Sequence, residues 1–125
     1  MSTIKADTIS NLAGSSTTSM NNVVNGSAKA WVNFNGIGTP SIRSSYNVSS
    51  ITDGGVGNYN INFTTAMPDA NYTQVSSAGT SGTSGLNWIA PYGFTNTVNA
   101  CRVVAFTATF GATFDVDIIN VVIFR

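Results

Sequence analysis

Asp115 and Asp117 stand two residues apart in "FDVDIINVVIFR", the spacing that turns both carboxylates to one side of a strand. Such a pair has the chemistry for acid–base work or for gripping a cation. It has little company. The chain holds no Glu and no His, and its other acids are Asp7, Asp53 and Asp69. A solvated strand face is therefore the simpler reading of the pair. Asp53 in "DGGVGN" resembles a loop ligand, but the spacing does not follow the EF-hand pattern. Cys101 is the only cysteine, which excludes an internal disulfide and a Cys-based metal site. Without a His to act as base, it reads as a small buried core residue rather than a nucleophile. The glycine clusters "GIG" and "GGVG" lead into no helix that could hold a phosphate, and no "GxSxG" elbow exists. This inventory argues against an enzyme, a cofactor and a metal.

One stretch offers binding rather than catalysis. In "NWIAPYGF", Asn87, Trp88, Tyr92 and Phe94 lie beside the Gly/Ser/Thr run "GTSGTSG". Aromatic faces flanked by amide side chains suit sugar rings or protein hot spots. The same rings could equally plug the open end of a β core. Pro91 and Gly93 interrupt any regular ladder, so the segment is expected to be a loop or an irregular edge.

The elements that must position these residues are strands. Val, Ile, Thr, Tyr and Phe alternate with polar residues, and helix signals are nearly absent. "AWVNF" places Ala30, Val32 and Phe34 on one face, with Trp31 and Asn33 on the other. Ile42, Ser44, Tyr46 and Val48 are expected to share a face. "YNVSSIT" and "YNINFTT" flank Asp53-Gly54-Gly55-Val56-Gly57-Asn58, whose residues tolerate positive φ. That predicts a hairpin with Tyr59, Ile61 and Phe63 turned inward. "NYTQVSS", "CRVVAFTATF" and "FDVDIINVVIFR" read as further strands, the last with Phe114, Val116 and Ile118 on one face. From Ile119 onward the alternation fails, and Ile119, Val121, Val122, Ile123 and Phe124 form a nearly continuous apolar run. A strand apolar on both faces is covered on both. These five are the candidate residues for an interface between copies, and the terminus is expected to be built into the structure.

Composition points the same way. The 125 residues are 42% hydrophobic and only 8% charged, with a net charge of zero. The length suits one domain with a non-globular end. With no basic cluster, nucleic acid is not the expected partner. A neutral, charge-poor surface favours association, here with further copies of the chain. The longest apolar run is too short to span a membrane, and "MSTIKADTIS" has no secretory h-region. The glycosylation sequons at Asn47, Asn62 and Asn71 are by-products of Asn/Ser/Thr richness.

Residues 1–29 differ from the rest. "TIKADTISNLAG" is a short amphipathic piece and "SSTTSMNNVVNGSAK" a polar linker, so the knob domain is expected over residues 30–125. A disordered tail is the plain reading of the first segment. Ile4, Ile9 and Leu12 favour an arm that orders on docking to a partner.

"STIKADTISNLAG", "KAWVNFNG" and "IRSSYNVSSITDGGVGNYNINFTTAMPDANY" resemble a recurring module of bacteriophage tail-fibre and virion proteins, those of cyanophages especially. The likeness covers residues 2–13 and about 29–75, and the closing strands more loosely. It implies an all-β fold, an antiparallel jelly-roll-like sandwich of about seven or eight strands. It also implies a homotrimer, the knob of a short tail fibre whose arm docks on the tail or baseplate and whose knob contacts a host-surface glycan or protein. The long shaft typical of the family is missing. A trimeric capsid decoration protein is therefore the alternative, and either placement puts the chain on the virion exterior after synthesis in the bacterial cytoplasm. A polysaccharide-degrading spike is disfavoured by the acid inventory, since glycoside hydrolysis needs two paired carboxyls.

Overall fold

The structure is a computed structural model and describes residues 2–3, 5–81, 88–91, 96–106 and 112–125. Among the described residues, ten strands and one helix follow in the order β1 (Thr8–Ser10), β2 (Thr17–Ser19), α1 (Met20–Gly26), β3 (Ala28–Asn35), β4 (Ser41–Tyr46), β5 (Val48–Asp53), β6 (Asn58–Phe63), β7 (Thr73–Gly79), β8 (Trp88–Pro91), β9 (Ala100–Phe106) and β10 (Ile118–Phe124). The fold is all-β and antiparallel, with eight strands in two four-stranded sheets ordered β4-β3-β10-β7 and β5-β6-β9-β8. β3 with β4, β5 with β6 and β8 with β9 are sequence neighbours within a sheet, and the chain changes sheets between β4 and β5.

Between the sheets lies one core. Alternation delivers Ala30, Val32 and Phe34 from β3, Tyr59, Ile61 and Phe63 from β6, and Cys101, Val103 and Ala105 from β9. β10 adds Ile119, Val121 and Ile123. Phe34 meets Tyr59 edge to face across the sandwich with ring centroids 5.2 Å apart, and Phe63 meets Tyr72 likewise at 5.7 Å. The β5–β6 hairpin follows the expectation from sequence. Its tip is closed by Gly54 N–H donating to the Asn58 carbonyl at 2.8 Å, with Gly55 and Gly57 at positive φ.

Several expectations are corrected. Ile42, Ser44, Tyr46 and Val48 do not all share a face. Ser44 and Tyr46 lie opposite Asn33 and Trp31, and a register shift brings Ile42 opposite Phe34. Val48 falls in the other sheet because Asn47 adopts a positive φ of 55° and carries the chain across. Its side chain holds that crossing in place, donating to the carbonyls of Lys29 and Thr65 at 3.1 Å each and accepting from Thr65 N–H at 2.7 Å. The last strand begins at Ile118 rather than near Phe114, so Val116 is buried while Phe114 is exposed. "WIAP" does form a ladder, pairing with β9 from Trp88 opposite Phe106 to Pro91 opposite Val103. Pro91 is tolerated because β8 is a sheet edge.

The polar linker is more structured than composition suggests. β1 and β2 make a small hairpin, and α1 follows at once with Ser19 as N-cap, its Oγ accepting from Asn22 N–H at 3.2 Å.

Candidate functional site

The carboxylates of Asp115 and Asp117 do not form a pair. Asp115 reaches inward, its Oδ1 accepting from Gly57 N–H at 2.6 Å and lying 2.9 Å from the Tyr59 hydroxyl. That hydroxyl also lies 3.0 Å from the Gly36 carbonyl, so its single proton serves two acceptors. Burial first, then the hydrogen bond and the negative charge of Asp115, hold the phenol far above its ordinary range, and it stays neutral. Asp117 instead receives Ser81, through its N–H at 3.0 Å and through its hydroxyl. These bonds to Ser81 hold the Asp117 carboxyl below its usual range. Asp53 accepts from Gly55 N–H at 2.8 Å within its own turn. All three acids serve loop geometry. Burial pushes the Cys101 thiol up to about 12, as an inert core residue requires.

Glycine is required at the cluster around Asp115. Gly57 has φ +68°, and a Cβ there would stand 2.7 Å from the Ala105 carbonyl oxygen and 2.7 Å from Phe114 N. A Cβ on Gly36 would stand 2.4 Å from the Tyr59 hydroxyl.

Of the aromatic segment, Asn87, Tyr92 and Phe94 lie outside the described residues, and the backbone of Trp88 opens β8. In the arm, Ile4 lies outside the described residues, while Ile9 and Leu12 stand in solvent at 49% and 108% exposure. Val23 and Val24 on α1 are also exposed, and neither the arm hairpin nor α1 contributes a residue to the core.

The run at β10 divides in two. Ile119, Val121 and Ile123 are buried within a single chain, packed against the facing sheet, and so are unavailable to another copy. Val122 and Phe124 point the other way and are only partly covered. Val122 belongs to a grouping that alternation along one strand does not reveal. Tyr46 lies opposite Trp31, Trp31 opposite Val122, and Val122 opposite Val75. Directly paired residues share a sheet face. The four therefore form one apolar stripe across every strand of the β4-β3-β10-β7 sheet, on its outer side. Tyr46, Val75 and Trp31 are 58%, 54% and 37% exposed. Beside the stripe runs a polar row of Ser44, Asn33, Asn120 and Ser77. Asn33 Nδ2 donates to Asn120 Oδ1 at 2.7 Å, and Asn120 Nδ2 to Ser77 Oγ at 3.2 Å. Below Tyr46 a shallow cleft of about 390 Å³ is lined by Asn47, Thr64 and Thr65.

Among the described residues no group of three or more His, Cys, Asp or Glu gathers as a metal site requires, and no helix is long and apolar enough to cross a membrane. No family model, no curated protein and no solved structure matches this chain.

Proposed function

We propose that this chain is a structural component of a bacteriophage virion, a short trimeric tail fibre. In that reading residues 1–29 dock on the tail or baseplate and residues 30–125 form a jelly-roll-like knob that meets a glycan or protein of the host surface. The observation that carries it is an N-terminal segment whose apolar residues Ile9, Leu12, Val23 and Val24 stand uncovered, ahead of a sandwich whose core uses none of them. Exposed apolar residues gathered on a short segment suit an arm that finds its cover on a partner. The absence of a catalytic constellation in the sequence suits a binding and structural role, with no cofactor.

A capsid decoration protein is the second reading, and one observation favours it. α1 ends at Gly26 and β3 begins at Ala28, so no shaft separates arm from knob. A knob held so near its anchor suits a staple on a shell.

Deleting residues 1–20 and purifying particles tests the arm. The truncated chain is expected to stay folded by circular dichroism and to be missing from particles. Normal incorporation would sink the docking arm, and loss of folding would place the arm in the core. Locating the full chain in a low-resolution map of the particle distinguishes tail from capsid, and its absence from both would end the virion reading.

A further inference from the structure

Among the described residues four edge strands bound the two sheets, and three carry a device that discourages pairing with another chain. β4 has a register shift against β3 and carries Arg43. β5 has a register shift after Val48 and ends in Asp53. β8 is four residues long and ends in Pro91, which has no main-chain donor. Such devices are how sheets protect their edges. β7 has none. Its seven residues, TQVSSAG, include no charge and no proline, and they pair with β10 in unbroken register from Thr73 opposite Phe124 to Gly79 opposite Ile118. The apolar stripe ends on this same strand, at Val75.

We propose that the outer face of the β4-β3-β10-β7 sheet, together with the β7 edge, is the surface by which one copy of this chain binds another. The inference rests on the trimeric reading above and names the surface that reading needs. Neither the stripe nor the polar row beside it holds a charged side chain. Two such faces meet without repulsion, whereas a charged partner finds no counter-charge. Strands about 4.8 Å apart and about 3.3 Å per residue give the face a footprint on the order of 400 Å². Patches of that size on a monomer are often functional. In a closed three-fold ring no patch meets itself: the β7 edge and the Val75 end of one copy lie against the Tyr46 end of the next copy's outer face. One seam therefore covers only part of two faces, less than the ~1,200 Å² that a stable pair buries. Closure of the ring through three such seams supplies the rest.

Light scattering at tens of micromolar tests this on four proteins: the full chain, Val75→Lys, Tyr46→Lys and Thr52→Lys. Thr52 is exposed on β5, in the opposite sheet, and serves as the control. The full chain is expected at about three times its 13.0 kDa mass, and Thr52→Lys should match it. Val75→Lys and Tyr46→Lys should fall to one chain mass with unchanged circular dichroism. If both stay assembled, the inference fails and the trimeric reading survives through another surface. Should they stay assembled but lose host adsorption, the stripe belongs to a host ligand, and the inference fails again. A full chain that scatters as a monomer overturns both. A two-chain mass that disperses in both variants keeps the surface and overturns the three-fold. Val75→Cys asks the same question without a charge, because buried Cys101 leaves it as the reactive thiol. Its labelling by a maleimide should be blocked in the assembly and restored on dilution. Full-rate labelling in the assembly would overturn the inference whatever the lysine variants do.

Discussion

The two sheets present the same kind of inner face, but the outer side of β5 and β6 differs from the outer side of β3 and β10. Outside β5 and β6, the polar side chains satisfy one another, with Asn62 Nδ2 donating to Ser50 Oγ at 2.9 Å and to Thr52 Oγ1 at 2.8 Å. Arg102, farther across that sheet, donates through Nε to Asn58 Oδ1 at 2.7 Å. Outside β3 and β10, by contrast, Trp31, Val122 and Val75 face water beside a single polar row. A solvated face closes its own hydrogen bonds and leaves nothing for a partner. The face that leaves aromatic and aliphatic surface open is the one with something to gain from contact.

The sharpest contrast runs through β10 itself. Ile119→Ala removes a fully buried side chain and should cost about 2–5 kcal/mol of unfolding free energy. Val75→Ala on the outer face should change the stability of the dispersed chain by no more than about 0.5 kcal/mol. Denaturant titration at a concentration too low for assembly measures both. Equal losses would mean that the outer face is packed within the single chain and is no free surface.

That contrast also marks how far sequence reasoning reached. Alternation placed Ala30, Val32 and Phe34 on one side and Trp31 on the other, and it found the β5–β6 hairpin with its inward Tyr59, Ile61 and Phe63. Period-2 reasoning fails where the backbone leaves the extended region, as at Asn47, because one residue at positive φ resets which side is inside. It fails again at Ile119–Phe124, where residues of both parities are apolar and the pattern cannot say which parity meets the core. The stripe was out of reach for a different reason. Tyr46, Trp31, Val122 and Val75 come from four strands scattered along the chain, and only the register of pairing brings them together. α1 had a signal, Ser19 ahead of "MNNVV", but Asn and Val are weak helix formers and the composition hid it.

The shared interior makes a smaller effect, visible at high pH. Tyr59 and Tyr72 are buried, and burial is the main reason each phenol titrates well above its ordinary value near 10. A raised folded value contributes stability that is complete below the unfolded pKa and is lost as pH rises through the folded one. Stability should therefore be flat up to about pH 10 and decline above it. Tyrosinate absorbance from these two residues should appear only as the fold is lost. Tyr59→Phe and Tyr72→Phe identify their share, and a smooth titration of every tyrosine near pH 10 in folded protein would contradict the burial described here.

The smallest effect lies on the hidden side of the proposed contact edge. Gln74 neighbours Val75 on β7 but turns inward, and among the described residues its Oε1 is the one buried side-chain oxygen or nitrogen without a hydrogen-bond partner. Its Nε2 reaches only the Arg102 carbonyl, at 3.4 Å. A buried, unpaired amide oxygen costs about 1–3 kcal/mol, and so long a hydrogen bond returns little of that. Gln74→Leu keeps a similar shape without the polar atoms and should raise the denaturation midpoint by the equivalent of about 1 kcal/mol. Because the side chain points away from the outer face, assembly mass should not change. A gain in stability with unchanged mass fits a strand whose inner side belongs to the core and whose outer side belongs to a partner. A loss of mass would show that β7 does not separate those two roles, and the surface proposed for it would have to be redrawn.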